Sequence, residues 1–203
     1  MDKLKNIFKV NKRIILCLIV ITIIGIISGS LFFYLLSNND RETVIKSIED
    51  FINNINSINY SICLKSNLVI NLVLLLIIFI FSLTIIGIPI IIIIYYFKTF
   101  SLGFSLVAII SRYGFKGTLY AIIYLFPHNI ISLLTFLVLS LYGLIYSFKT
   151  LHNFTKKTNI NLNNSFAKLK TVLLISIIII ILCSLYQTFI MPKLLNFILN
   201  LLN

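Results

Sequence analysis

The sequence predicts an all-α, polytopic integral membrane protein with about five transmembrane helices and Gly/Pro-interrupted central segments. Of its 203 residues, 60% are hydrophobic and only 11% are charged, whereas a soluble domain carries roughly 25% charged residues. The apolar residues lie in runs long enough to cross a bilayer, and the mean hydropathy is +1.09. We therefore treat residues 1–203 as a single integral membrane domain.

The first apolar run, residues 14–36, follows a basic segment. A helix of this length extends about 35 Å at 1.5 Å per residue, enough for a hydrocarbon core of about 30 Å. A cleaved signal peptide is the competing interpretation, because small residues occur at Ser28, Gly29 and Ser30. Hydrophobicity continues to Leu36, beyond a typical signal sequence, so we expect an uncleaved anchor.

Residues 37–67 form the longest polar stretch and contain four of the five acidic residues: Asp40, Glu42, Glu49 and Asp50. Apolar residues recur in it at three- and four-residue spacing, which predicts an amphipathic helix capped by Asn39 or Asp40. One interpretation is a helix lying on the membrane surface. The other is a docking face for a partner, made by the four acidic residues.

Four further spans are expected, at about 68–86, 90–111, 119–148 and 171–190. The Gly87 and Pro89 break either turns one span into the next or kinks a single long helix, and Pro127 interrupts the third apolar block. Proline removes a backbone hydrogen bond, and hydrocarbon cannot replace it, so both breaks are expected to face protein. After the last span, an apolar stripe that starts at Leu194 predicts a short interfacial helix.

The charge of the loops predicts the topology. The segment before the first span and the loop 149–170 have an excess of cations, whereas the loop 37–67 is rich in acids. By the positive-inside rule the first two are cytoplasmic and 37–67 is extracytoplasmic, which requires an odd number of crossings between them. The net charge of +12 therefore indicates a lipid bilayer as partner and no nucleic acid.

No pattern in the spans predicts catalysis, a cofactor or a metal. They contain no acidic residue, no Ser–His–Asp set and no phosphate-binding Gly loop, and Cys17, Cys63 and Cys183 make no ligand spacing. His128 and Asn129 are polar residues in an apolar segment, serving either helix packing or function. Interrupted helices can also mark a transporter's substrate site, so a membrane subunit of a transporter or export system is the alternative function. Lys98 is interpreted as a snorkelling cation.

The stretch SLTIIGIPIIIIIYYFKTFSLGFSLVAIISRYGFKGTLYAIIYLFPHNIISL resembles the stage II sporulation protein M family. The features that match it in order are Gly87 and Pro89, Lys98, Gly103 with Phe104, Gly114 with Gly117, and Pro127 with Asn129. The basic start, the extracytoplasmic loop and the closing LYQTFIMPKLL are also similar. The broader family often has a glutamate-containing motif where this chain has FPHN.

The resemblance implies a non-enzymatic membrane scaffold for forespore engulfment. Its implied partners are the stage II sporulation proteins P, an amidase, and D, a lytic transglycosylase, and a homo-oligomer is possible. It would hold these peptidoglycan hydrolases at the septal membrane of the mother cell. The helix-break residues are assigned to architecture: Gly87, Pro89, Gly103, Gly114, Gly117, Pro127 and Asn129.

Overall fold

The computed structural model of the protein describes residues 12–53, 60–125, 128–156 and 162–194. Side chains are described for these residues except 51–53, 115–125 and 156. The described part is helical apart from short turns and contains no strand. Its helices are α1 (Lys12–Leu35), α2 (Asn38–Asn53), α3 (Tyr60–Ser82), α4 (Gly87–Leu125), α5 (His128–Lys156) and α6 (Asn163–Leu185). A π-helical turn, Tyr186–Ile190, continues α6 to residue 194.

Five segments of the described chain are long and apolar enough to cross a membrane. They are Lys12–Leu35, Tyr60–Ser82, Gly87–Gly114, His128–Thr155 and Asn163–Leu194. Large apolar side chains are exposed on these helices, as expected of surfaces that contact lipid. The all-α polytopic prediction is confirmed.

Several helix bounds differ from the predicted spans. Helix α3 begins at Tyr60, inside the predicted loop 37–67. Polar Asn67, at the end of that loop, fits within the helix because its Nδ2 donates to Cys63 Sγ one turn earlier, at 3.6 Å. The predicted span 119–148 is divided, since residues 119–125 belong to α4 and the long apolar helix starts at His128. Most of the predicted loop 149–170 is helical, because α5 extends to Lys156 and α6 begins at Asn163.

Helix α5 is the most enclosed of the five spans. Of an 18-residue apolar stretch of α5, 56% is buried, compared with 11% for the equivalent stretch of α3 and 17% for that of α1. Phe136 and Leu139 of α5 pack against a core that includes Ile78 of α3 and Tyr95 of α4. The other spans therefore surround α5 and expose their outer faces.

Helices α1 and α4 approach each other closely at three glycines. A Cβ atom at Gly29 would overlap the Phe100 carbonyl, and one at Gly103 would overlap the Ile26 carbonyl. Gly25 and Gly29 are four residues apart, the spacing that lets two membrane helices bring their backbones together. The residues assigned to architecture from the sequence included Gly103 but not its partners on α1, Gly25 and Gly29.

Hydroxyl groups connect the same pair of helices. Thr22 Oγ1 lies 2.7 Å from the Tyr95 hydroxyl, and Ser28 Oγ lies 2.8 Å from the Tyr96 hydroxyl. Ser30 Oγ also donates to the Gly103 carbonyl at 3.3 Å. Helix α1 thus packs as a member of the bundle, and the uncleaved anchor stays a prediction.

The contacts place the helix ends in two groups. At one end of the bundle Glu49 of α2 pairs with Arg112 of α4, and the Tyr60 ring stacks on Phe189 at 5.7 Å. At the other end Lys149 Nζ donates to Ser165 Oγ at 2.7 Å. This grouping is the one that five crossings require. The cytoplasmic location of the N-terminus stays a prediction.

Replacing Gly29 by Val should destabilise the fold, because the new side chain would collide with the backbone of α4. Overpacking of this kind costs about 1–3 kcal/mol. Thermal unfolding of the purified protein in detergent measures the effect. The matched control is Ile27→Val, an exposed position in the same turn of α1, which should unfold at the wild-type temperature. Equal unfolding temperatures for the two variants would contradict the role given to the crossing.

Candidate functional site

The first predicted break is a tight turn between two spans, not a kink in one long helix. Helix α3 ends at Ser82 and α4 begins at Gly87. A Cβ atom at Gly87 would overlap the Phe81 carbonyl, so the turn requires glycine there. Pro89 lies in the first turn of α4, where its missing N–H has no intrahelical acceptor to lose.

The other residues assigned to architecture lie apart from one another. Gly103 is at the crossing with α1, and Gly114 has a φ of +56°, a left-handed conformation that kinks α4. Gly117 lies in the helical stretch that follows, while Pro127 is outside the described residues. Asn129, in the first turn of α5, lines a cavity and is the one residue of this set that offers a polar side chain.

The four acidic residues of the predicted docking face have different roles in the structure. Asp40 serves the start of α2: its N–H donates to Ser37 Oγ at 3.2 Å, and its carboxylate accepts from the Ser37 hydroxyl at 2.7 Å. Ser37 is therefore the N-cap of α2, because its hydroxyl accepts a hydrogen bond from the backbone N–H three residues later. The prediction of Asn39 or Asp40 as the cap was wrong. Glu49 pairs with Arg112. Glu42 and Asp50 are exposed.

Lys98 does not snorkel to the membrane surface. Its Nζ donates to Asn71 Oδ1 on α3 at 2.7 Å and lies 5.0 Å from the centre of the Phe136 ring on α5. The carbonyl oxygen and the face of an aromatic ring both attract a cation. The ammonium group is thus held inside the bundle by two neighbouring helices.

This ammonium group lies near the middle of the bilayer. Along α4, Lys98 is about 16 Å from Gly87 and about 24 Å from Gly114 at 1.5 Å per residue. Its acceptor, Asn71, is near the midpoint of α3, which spans Tyr60–Ser82. Positions along both helices therefore give the Lys98 ammonium group the same depth, far from either edge of a hydrocarbon layer of about 30 Å.

Lys98 borders a polar cavity of about 160 Å³ between α4, α5 and the π-helical turn. The lining residues are Lys98, Ser101, Leu102, Ser105, Asn129, Leu133 and Gln187. None of them is acidic, so the cavity has a positive charge and several hydrogen-bonding side chains. Gln187 was not predicted from the sequence to belong to a site, although a polar amide within the apolar run 171–190 was a signal that could have identified it.

His128 is close to this cavity but does not line it. It is 2% exposed, and its ring centre lies 6.2 Å from that of Tyr186. It borders a separate, largely apolar cavity of about 330 Å³, with Ile179 and Leu182 among the lining residues. Within the described ranges, no group of three His, Cys, Asp or Glu side chains is placed to hold a metal ion.

The sequence motifs, the five apolar helices and the turn at Gly87 can be compared with known protein families. A model of the stage II sporulation protein M family matches residues 15–192. The chain belongs to this family. No curated protein and no solved structure gives a significant match. Family membership makes the chain a sporulation-related membrane protein, and the match includes α2, the turn at Gly87 and the cavity at Lys98.

Removing the acceptor of Lys98 should destabilise the bundle. The variant Asn71→Leu leaves the ammonium group with a ring and no carbonyl, and a buried donor without its partner costs about 1–3 kcal/mol. The double variant Asn71→Leu with Lys98→Met removes both groups and should recover most of this loss. Unfolding midpoints in detergent measure the four members of the cycle. Additive losses in the double variant would show that the two side chains do not interact.

Proposed function

We propose that this chain is a non-enzymatic membrane scaffold for forespore engulfment. It recruits two peptidoglycan hydrolases, the stage II sporulation proteins P and D, and localises them at the septal membrane of the mother cell. Family membership supports the sporulation-related part of this proposal. Recruitment of the hydrolases is proposed from one observation: α2 presents a charged face at one end of the bundle.

Helix α2 is held to the bundle at both of its ends. Near its start, Arg41 donates to the Tyr34 carbonyl at 2.7 Å and lies 5.7 Å from the Phe33 ring centre. Near its end, Glu49 pairs with Arg112 on α4. A helix fixed in this way loses little conformational freedom when a partner binds, and that favours affinity.

The outer face of α2 supplies charge for recognition. Glu42, Lys46 and Asp50 are exposed at four-residue spacing, with Thr43 and Ser47 beside them. Because Asp40 and Glu49 serve the helix itself, the docking charge on the described side chains comes from Glu42 and Asp50. The loop is expected on the extracytoplasmic side, where peptidoglycan lies, so this face would meet the hydrolases directly.

A membrane subunit of a transporter or export system is the second candidate. The observation that favours it is the polar cavity, which extends from Lys98 to Asn129 in the first turn of α5. A transport path would have to connect this cavity to both faces of the membrane. Water-accessibility labelling at Ser101 and Ser105, residues that line the cavity, would detect such a path.

Neutralising the exposed acids of α2 should weaken binding of the hydrolases. The variant Glu42→Gln with Asp50→Asn keeps side-chain size and removes two charges, each worth about two- to fivefold in affinity at a solvated interface. Binding of soluble forms of the amidase and the lytic transglycosylase to the full chain in nanodiscs measures this effect.

Lys46→Gln is the matched control, because it removes a charge of opposite sign from the same exposed face. It should not weaken binding, and membrane insertion should be the same in all variants. Unchanged affinity in the variant lacking Glu42 and Asp50 would refute the docking role of α2.

A further inference from the structure

A cation without a matching acidic side chain lies at the centre of the bundle. The chain has five acidic residues, and none occurs after Asp50. Lys98 relies on one carbonyl oxygen, that of Asn71, and on the Phe136 ring. A charge at this depth is costly and usually marks a functional site with a specific partner.

The cavity at Lys98 opens toward the lipid-facing surface of α4. Ile93 and Phe97 are 51% and 61% exposed, and Ser101 is the next exposed residue at the same four-residue spacing. Ser101 therefore continues an apolar, lipid-facing stripe with a hydroxyl group. Lipid tails cannot form hydrogen bonds, so this polar interruption does not suit a surface covered only by lipid.

The cavity also contains donors that the described residues do not use. Within the described part of the chain, neither the Asn129 nor the Gln187 side-chain amide takes part in a hydrogen bond. Together with the Lys98 ammonium and the Ser101 hydroxyl, they surround the same space. Several donors and one positive charge around a small cavity are suited to an anionic group that accepts hydrogen bonds.

We propose that this cavity docks a membrane-spanning helix of a partner protein that carries a carboxylate at mid-bilayer depth. The inference rests on the proposed scaffold function and deepens it, because it identifies where a recruited protein is held within the membrane. The carboxylate accepts from Lys98 and the cavity donors. Ser101 and Ser105, four residues apart, are small enough to let the partner helix approach α4 closely.

Depth and charge separate this occupant from two others. A second copy of the chain has no acidic residue in its spans and cannot supply the anion. A lipid phosphate lies outside the hydrocarbon, about 15 Å or more from its centre. It would have to be drawn deep into the membrane to reach Lys98. A membrane-spanning helix places a carboxylate at this depth without displacement.

A model peptide tests the site with the full chain in phosphatidylcholine vesicles. The probe is a fluorescent leucine–alanine membrane-spanning helix with one central Glu, and energy transfer from the labelled chain reports its association. The central-Glu peptide should bind about tenfold more tightly than the same peptide with a central Leu. Moving the Glu to the end of the peptide should abolish this preference, because the depth no longer matches.

Variants of the chain complete this test. The preference should be lost in Lys98→Met and kept in Lys98→Arg, which retains the charge. Lys149→Met is the matched control, a lysine bound to Ser165 near the other end of the bundle, and it should keep the full preference. Gln187→Leu should reduce the preference while leaving Lys98 in place. Equal binding of the Glu and Leu peptides, or a preference that survives Lys98→Met, would overturn the proposal.

The same vesicles distinguish the other occupants. Retention of phosphatidylglycerol that depends on Lys98, without a preference for the Glu peptide, would assign the site to a lipid phosphate. Self-association that depends on Lys98, again without that preference, would assign it to a second copy. Either result overturns the proposal. The soluble hydrolases used to test α2 lack a membrane span, so failure of their binding refutes the scaffold function separately.

Discussion

Hydrocarbon offers no hydrogen-bond partner, and this constraint explains why polar side chains of neighbouring helices meet in pairs inside the bundle. The hydroxyls of α1 meet the tyrosine hydroxyls of α4, and Ser147 donates to the Ser82 carbonyl at 2.8 Å. Lys98 meets Asn71 in the same way. Each pair joins two helices, so the need to satisfy polar groups also determines which helices are neighbours. The close crossing of α1 and α4 provides the short distances that the hydroxyl bonds between those two helices require.

In the described part of the chain, two polar surfaces are open to a partner, and the proposed function uses both. The first is the outer face of α2, which Ser37 and the Glu49–Arg112 pair hold in place at one end of the bundle. The second is the cavity that extends from Lys98, near the depth of the bilayer centre, toward Asn129 and Gln187. One suits a soluble domain outside the membrane and the other suits a membrane-spanning helix. A scaffold that holds an anchored hydrolase can use both at once.

Local properties of the sequence were sufficient to predict the fold class. Long apolar runs predicted the five spans, and Gly87 with Pro89 predicted a break, because hydropathy and backbone restriction depend on nearby residues only. Contacts between distant residues could not be predicted in this way. Lys98 and Asn71 are 27 residues apart, and nothing in either local sequence indicates the bond. The different roles of the four acidic residues have the same cause, since the role of Glu49 depends on where α4 places Arg112.

The most direct test of the scaffold is crosslinking in sporulating cells, followed by purification of this protein and mass spectrometry of the proteins bound to it. The structure and the family membership lead us to expect both hydrolases, the amidase and the lytic transglycosylase, among the crosslinked partners. Recovery of an ATPase with a soluble binding protein, and of neither hydrolase, would contradict the scaffold and favour a transport subunit.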